Sequence, residues 1–146
     1  MKLHQLSLFM ENKPGALSMP IKTLAEANVN ILTMSLADTQ QFGILRLIVR
    51  EWQKAKEVLE QAGCVVNVTE VLAVEVEDRP GGLAKVVTSI ENAGLNVEYT
   101  YAFTCGCAGK AILVFRFENP DEAIRKLQAV GVNVIGSVDL YERVEQ

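Results

Sequence analysis

The fold of this chain is decided by the stretch Glu77-Asp78-Arg79-Pro80-Gly81-Gly82-Leu83. Residues 71–76, before it, are rich in β-branched side chains and partly alternate in polarity, which predicts a strand. After it, apolar residues recur every three or four positions, which predicts an amphipathic helix. The stretch is therefore a turn from a strand into a helix. Its proline fixes one φ angle and its glycines carry no Cβ, so a small molecule can approach this backbone closely.

The same pattern occurs earlier in the chain, as Glu11-Asn12-Lys13-Pro14-Gly15-Ala16-Leu17. Pro80 follows Pro14 by 66 positions, and beyond a predicted hairpin the offset becomes 68, a slip that a loop can absorb. The chain is thus two copies of one unit of about half its length, a paired module rather than a solenoid. The aligned pairs include Glu11 with Glu77, Gly15 with Gly81, Leu17 with Leu83, Asn30 with Asn96, Leu45 with Leu113 and Gly63 with Gly131.

Each copy is predicted to run strand, helix, strand, strand, helix, strand. The predicted strands are 3–10, 31–37, 44–50, 64–69, 72–77, 96–104, 111–118 and 132–138, and the predicted helices are 18–27, 52–62, 83–93 and 120–130. This βαββαβ order gives an α+β chain of two ferredoxin-like repeats, each an antiparallel sheet with helices on one face. We expect domains at 1–70 and 71–146, joined by a very short linker at 69–71, and a charged tail from residue 140.

Composition narrows the function. The net charge of −4 with no basic block argues against a nucleic-acid partner, although the aromatic residues near Tyr99 and Phe115 could imitate an RNA-recognition sheet. We place those aromatics in the core or at a domain contact. No apolar run is long enough to span a bilayer, and the chain opens directly into a strand, so we expect no membrane partner, no secretory signal and a cytoplasmic location.

The sequence contains few candidate catalytic or metal-ligating residues. No nucleophilic triad and no phosphate loop can be assembled from this sequence. Cys105 and Cys107 could supply two ligands of a metal site, but a four-ligand site needs two more, and Cys64 and His4 are the only spare soft ligands. We therefore expect no enzyme activity, no cofactor and no metal. Cys105-Gly106-Cys107 leaves a redox switch or a strained disulfide open, beside the ordinary interpretation of a glycine-containing loop.

A short motif recurs in both copies: a strand ending in Asn/Asp-x-Pro-Gly-x-Leu, followed by a helix ending at Asn-Val-Asn-Ile or Gly-Leu-Asn-Val. On a βαββαβ frame this motif resembles the ACT domain, the small-molecule regulatory module of amino-acid metabolism. The resemblance implies a free amino acid bound where two domains meet, by the strand-to-helix turn of one domain and the facing edge of the other. ACT domains usually accompany a catalytic domain, so this chain resembles a stand-alone tandem ACT protein.

The candidate ligand-binding residues lie in the two turns and at the start of each second strand. Backbone amides of the turns can bind a carboxylate, and side-chain oxygens of Asn12 and Asp78 can accept from an ammonium group. The alternative is that these side chains close the turns on their own backbone and the later asparagines cap helix ends. The full set is Asn12, Pro14, Gly15, Ala16, Leu17 and Asn30 in the first copy, and Asp78, Pro80, Gly81, Gly82, Leu83 and Asn96 in the second.

The favoured function is a non-catalytic regulatory protein that binds a free amino acid, an allosteric sensor acting on a metabolic enzyme. The alternative is a protein–protein interaction subunit of such an enzyme with no small-molecule ligand. An enzyme that uses the cysteines is a third, weaker hypothesis.

The second strand of the first copy predicts a homodimer. The alignment sets Ile31 on one side with Val97, Tyr99, Tyr101 and Phe103 of the second copy, and that side is expected to pack on the helices. The alternate residues Leu32, Met34 and Leu36 would then form an exposed apolar patch, which a second copy of the chain would cover about a two-fold axis.

Overall fold

The computed structural model describes residues 1–38, 40–104 and 108–145. The chain divides into two compact units, one of His4–Thr69 and one of Met1–Leu3 with Glu70–Gln146. Each unit holds one copy of the repeat. The strand Val66–Glu77 carries the chain from one unit to the next without a break, so the strands predicted at 64–69 and 72–77 are one strand. Val66 and Val68 before the junction and Leu72 and Val74 after it keep the alternation of a strand.

The first repeat follows the predicted order. Its elements are β1 (Leu3–Glu11), α1 (Ser18–Glu26), β2 (Ile31–Asp38), β3 (Phe42–Val49), α2 (Trp52–Gln61) and the first part of β4 (Val66–Glu77). Strand β3 pairs antiparallel with both β1 and β2. One face of these strands packs on the helices through leucines such as Leu8, Leu45 and Leu59, all of which are buried.

The second repeat follows the same order of elements and adds one more helix after its last strand. Its further elements are α3 (Gly82–Asn92), β5 (Tyr99–Ala102), β6 (Lys110–Arg116), α4 (Pro120–Ala129), β7 (Val134–Ile135) and α5 (Ser137–Val144). Strand β4 pairs with β6 and β7, and β6 pairs with β5, all antiparallel. Leu72, Phe115 and Leu127 lie in its core. The predicted α+β class with two ferredoxin-like repeats is confirmed.

The charged tail expected from residue 140 is wrong, because this segment lies in α5. Leu140 is fully buried, and the Arg143 guanidinium lies 2.6 Å from the Glu75 carboxylate of β4. Leu140, Tyr141 and Val144 supply only a short apolar stripe among charged residues, so the periodicity of the sequence does not reveal the helix. Among the described residues, no helix is long and apolar enough to cross a membrane.

The face predicted for the apolar patch of the first repeat is also wrong, although Met34 and Leu36 are exposed, at 39% and 47%. The register of β2 against β3 shifts between Ile31 and Thr33, the mark of a β-bulge. Beyond it, Met34 and Leu36 pair with leucines of β3 that lie in the helix-covered core. Directly paired residues share one face of a sheet. The two side chains therefore lie on the helix side, and Leu32 is buried.

The second repeat changes face at the same place. Val97 packs against the helix-covered core, but Tyr99 pairs with Arg116 and Tyr101 with Val114, which alternate with the core residue Phe115. The prediction that Val97 and the two tyrosines share one face is therefore wrong. A β-bulge such as the one in β2 adds one residue to a strand, so every later side chain of that strand points to the opposite face. Amino-acid composition alone does not reveal a bulge.

Candidate functional site

The two Pro-Gly turns share one backbone geometry. The amide of Gly82 donates to the carbonyl of Arg79 at 2.9 Å, and the amide of Ala16 donates to the carbonyl of Lys13 at 3.3 Å. The glycine before each donor is left-handed, with φ of 87° at Gly15 and 88° at Gly81. A proline followed by a residue of positive φ is the signature of a type II turn, which explains why both turns carry Pro-Gly.

The residue before each turn is fixed to the neighbouring hairpin. The amide of Asn12 donates to the carbonyl of Gln41 at 2.8 Å, and the amide of Asp78 donates to the carbonyl of Gly109 at 2.9 Å. The Asn12 side chain also donates, to the carbonyl of Gln40 at 2.8 Å. Among the described residues, no hydrogen bond is made by the exposed Asp78 carboxylate. Asn12 therefore acts as a brace, whereas Asp78 is available to a ligand.

The helix meets the turn differently in the two repeats. Helix α3 begins at Gly82, two residues after Pro80, and α1 begins at Ser18, four residues after Pro14. Pro20 explains the delay, because its nitrogen carries no proton and proline is tolerated only in the first helical turn. The first amides of α3 therefore lie directly beside the second turn, where the positive end of the helix dipole favours an anion.

A groove opens beside the second turn. Its rim is formed by Asp78, Arg79, Pro80 and Leu83, and its floor by Val76, Ala111 and Leu113. Leu83 is 44% exposed although it is a large apolar residue. The groove thus combines a free carboxylate, a helix N-terminus and an apolar floor within the second repeat.

The first repeat fills the corresponding space. Gly43 takes the place of Ala111, and a Cβ built on Gly43 would lie 3.3 Å from Cδ1 of Leu36. In the second repeat, the residue aligned with Leu36 is Ala102. The small side chain of Ala102 therefore leaves the second groove open, whereas Leu36 covers the first.

Comparison with known proteins identifies the family. Residues 1–142 match the family described as an ACT domain pair. The chain belongs to this family. A search of curated proteins finds no match.

Solved structures share the fold of this chain. A crystal structure of a Bacteroides thetaiotaomicron protein superposes with a TM-score of 0.89 at 36% identity, covering 97% of each chain. The ligand-free regulatory subunit of aspartate kinase from Thermus thermophilus gives a TM-score of 0.64 at 17% identity, covering 90% of this chain and 94% of that one. The subunit from Thermus flavus gives 0.61 at 18% identity, covering 88% and 92%. Membership of the ACT domain pair family supports a regulatory role.

The two asparagines of the ACT-like motif lie away from the turns of their own repeats. Asn96 is exposed beyond the last residue of α3, a helix about 16 Å long, and Asn30 is exposed in the same position after α1. Each repeat therefore brings together its turn residues alone. The groove floor of Val76, Ala111 and Leu113 is absent from the sequence prediction, although the strand alternation of β4 and β6 could have indicated it.

The cysteines and the histidine of the ACT pair form no site in the described residues. Cys105 and Cys107 lie outside these residues. Burial raises the pKa of the Cys64 thiol, which is free, and the His4 ring stacks on Trp52 at 4.4 Å. Within the described ranges, no three histidine, cysteine or acidic side chains group together as metal ligands.

Proposed function

We propose that this ACT domain pair is a non-catalytic regulatory protein that binds a free amino acid at the turn of its second repeat. The observation that carries the proposal is the open groove with Asp78 at its rim and Val76, Ala111 and Leu113 at its floor. The first-repeat residues of the expected set complete the proposal as a second, more covered site. The two ACT domains are taken as 1–70 and 71–146.

The groove offers one partner to each part of an amino acid. Backbone amides at the start of α3 donate hydrogen bonds to the carboxylate, and the Asp78 carboxylate accepts hydrogen bonds from the ammonium group. The side chain of the ligand lies on the apolar floor, which Leu83 borders. A hydrogen bond between two charged groups contributes more to the binding free energy than one between neutral groups. The Asp78 carboxylate is therefore expected to provide much of the affinity for the ligand ammonium group.

We further propose that a homodimer presents this site at an ACT domain interface. The support is a pair of exposed aromatic rings on the helix-free face of the first repeat: Phe9 is 64% exposed and Phe42 is 51% exposed. They lie on paired strands β1 and β3, at diagonal positions. The same rings favour the second candidate function, an interaction subunit whose apolar face contacts a metabolic enzyme. The cytoplasmic location stays a prediction.

Calorimetric titration with the twenty amino acids tests the sensor function. We expect at least one to bind, and at about 100 times its dissociation constant to add about 2.7 kcal/mol to the free energy of unfolding. Asp78→Ala should weaken binding at the second turn at least about tenfold. Asn12→Ala, in the first turn, is the matched control and should leave binding at the second turn unchanged. Absence of binding by any amino acid at millimolar concentration, with an intact fold, would favour the interaction subunit.

A further inference from the structure

The floor of the groove beside the second turn consists of side chains that have no hydrogen-bonding group. Val76 and Ala111 are directly paired across β4 and β6, and directly paired residues share one face of a sheet. Leu113, two residues further along β6, lies on that same face and packs against the core of the second repeat. The floor is therefore a continuous apolar surface, with about 7 Å between its two positions on β6.

The backbone beneath this floor adds no polar contact. The peptide groups of a sheet point towards the neighbouring strands and not out of its faces. A ligand side chain that lies on Val76, Ala111 and Leu113 therefore meets apolar atoms, and the polar groups of the groove are confined to its rim.

Three charged residues line the rim, and two of them are paired with each other. The Glu77 carboxylate forms an ion pair with the Arg79 guanidinium. Lys110 lies outside the lining, with its ammonium 3.9 Å from the same carboxylate. No ion pair is made by Asp78, the third charged residue, within the part of the chain that the structure describes. Asp78 is thus the charge that the lining offers to a ligand, and the ammonium group of an amino acid matches it.

These features decide which ligand side chain the groove accepts. An acidic side chain has to compete with Glu77 for Arg79, and a basic one has to share Asp78 with the ammonium group of the same ligand. A hydroxyl or amide loses its hydration on the apolar floor and gains no hydrogen bond there. An aliphatic side chain has no such cost, and it removes apolar surface of the floor from water.

We propose that the groove selects amino acids with an apolar side chain and discriminates against charged or hydrogen-bonding side chains of the same size. This ligand class rests on the amino-acid site proposed above. The residues that determine it are Val76, Ala111 and Leu113 of the floor, together with Leu83 at the rim.

Two exposed residues of α3 allow this preference to be changed and controlled. Leu83 is 44% exposed at the rim of the groove, and Val87 is 43% exposed. Val87 lies four positions further along, on the same face of the helix but outside the groove lining. A charged side chain at either position stays in contact with water, so only its distance from the ligand differs.

Calorimetric titration of the full chain with pairs of amino acids of nearly equal size tests the ligand class. The pairs are valine with threonine, leucine with asparagine, and norleucine with lysine. We expect the apolar member of each pair to bind at least about tenfold more tightly, because its partner carries a group that the floor cannot satisfy. Tight binding of threonine, asparagine or lysine, at the affinity of its apolar partner, would overturn the proposal.

Leu83→Arg tests whether the ligand side chain lies at the rim and floor described here. The new guanidinium should raise the affinity for aspartate relative to leucine at least about tenfold, and salt should screen the gain. Val87→Arg adds the same charge one helical turn away and should leave the ratio unchanged. An unchanged ratio in a Leu83→Arg variant that is folded by circular dichroism would overturn the assignment of the floor.

Failure of this ligand class can be distinguished from failure of the amino-acid site itself. If no amino acid binds, the site proposed above is wrong and its ligand class is wrong with it. If amino acids bind, and Asp78→Ala weakens them, but the members of each pair bind equally, the site stands and only the apolar preference is overturned.

Discussion

The two Pro-Gly turns have nearly the same backbone but very different surroundings. Gly15 and Gly81 differ by 1° in φ, at 87° and 88°, and each turn is fixed to its hairpin by one amide. Beside the first turn Leu36 covers Gly43, whereas beside the second turn the residue aligned with Leu36 is Ala102 and a groove is open. Turn geometry is thus shared by the two repeats, and the neighbouring strands decide whether a turn has room for a ligand.

Aligned positions of the two repeats also differ in charge. Glu75, Lys85 and Lys110 of the second repeat align with Phe9, Met19 and Phe42 of the first, all three of which are more than 40% exposed. A duplicated unit needs only one copy of each ligand site, and the other copy can present an apolar surface to a partner. The predictions below compare matched positions in the two repeats.

The largest effect is expected from Gly82→Ala. The new Cβ would lie 1.9 Å from the backbone oxygen of Glu77, so the start of α3 has to move. We expect a loss of more than about 3 kcal/mol in the free energy of unfolding, measured by urea denaturation. Ala16 occupies the aligned position in the first repeat, so Ala16→Gly is the control and should cost less than about 1 kcal/mol. Equal costs would mean that the two helix starts are alike.

The next effect concerns the groove. Ala111→Leu should fill the floor beside Asp78 and weaken amino-acid binding at least about tenfold, measured by calorimetry. Leu36→Ala is the control in the first repeat: it removes the side chain that covers the first groove and should leave the affinity of the second groove unchanged. A folded Ala111→Leu variant that binds as the wild type does would remove the groove from the site.

A smaller and equal effect is expected at the left-handed glycines. A Cβ at Gly15 or Gly81 meets no atom within 4 Å, so only the positive φ opposes an alanine there. Gly15→Ala and Gly81→Ala should therefore each lower the free energy of unfolding by about 1–2 kcal/mol. Thermal denaturation of both variants checks the match, and a cost confined to one repeat would contradict a shared turn geometry.

The sequence predicts the parts of this fold that depend on local periodicity. The helix start at Ser18 follows from Pro20, and the Asn119 cap, whose side chain accepts from the Glu122 amide at 3.1 Å, follows from Asn-Pro before a helix. The repeat itself comes from the aligned Pro-Gly pairs. These features each depend on a few neighbouring residues, so a single sequence suffices.

The features that the sequence missed depend on contacts between distant residues. The bulge after Ile31 inverts β2 because of its pairing with β3, not because of its own composition. Helix α5 is held by burial of Leu140 and by the pair between Arg143 and Glu75, and these partners are far apart in the chain. The groove floor likewise joins residues of β4 and β6 across a hairpin.

The smallest expected effect is a pH-dependent contribution to stability from Glu75 of the second repeat, where the first repeat has Phe9. The Arg143 guanidinium, and after it the Asn133 side chain, hold the pKa of Glu75 below its ordinary value of 4.5, against the opposing effect of burial. A carboxyl whose pKa is lower in the folded state stabilises the fold fully above its ordinary value, and loses that contribution as the pH falls through the lowered value. Glu75→Gln should therefore cost about 1 kcal/mol at pH 7, since the pair is partly exposed to solvent. The difference from wild type should shrink between about pH 5 and pH 2 in urea denaturation. Glu142→Gln, on an exposed position of α5, is the control. A difference that stays constant over this range would show that the pair with Arg143 does not hold α5 in place.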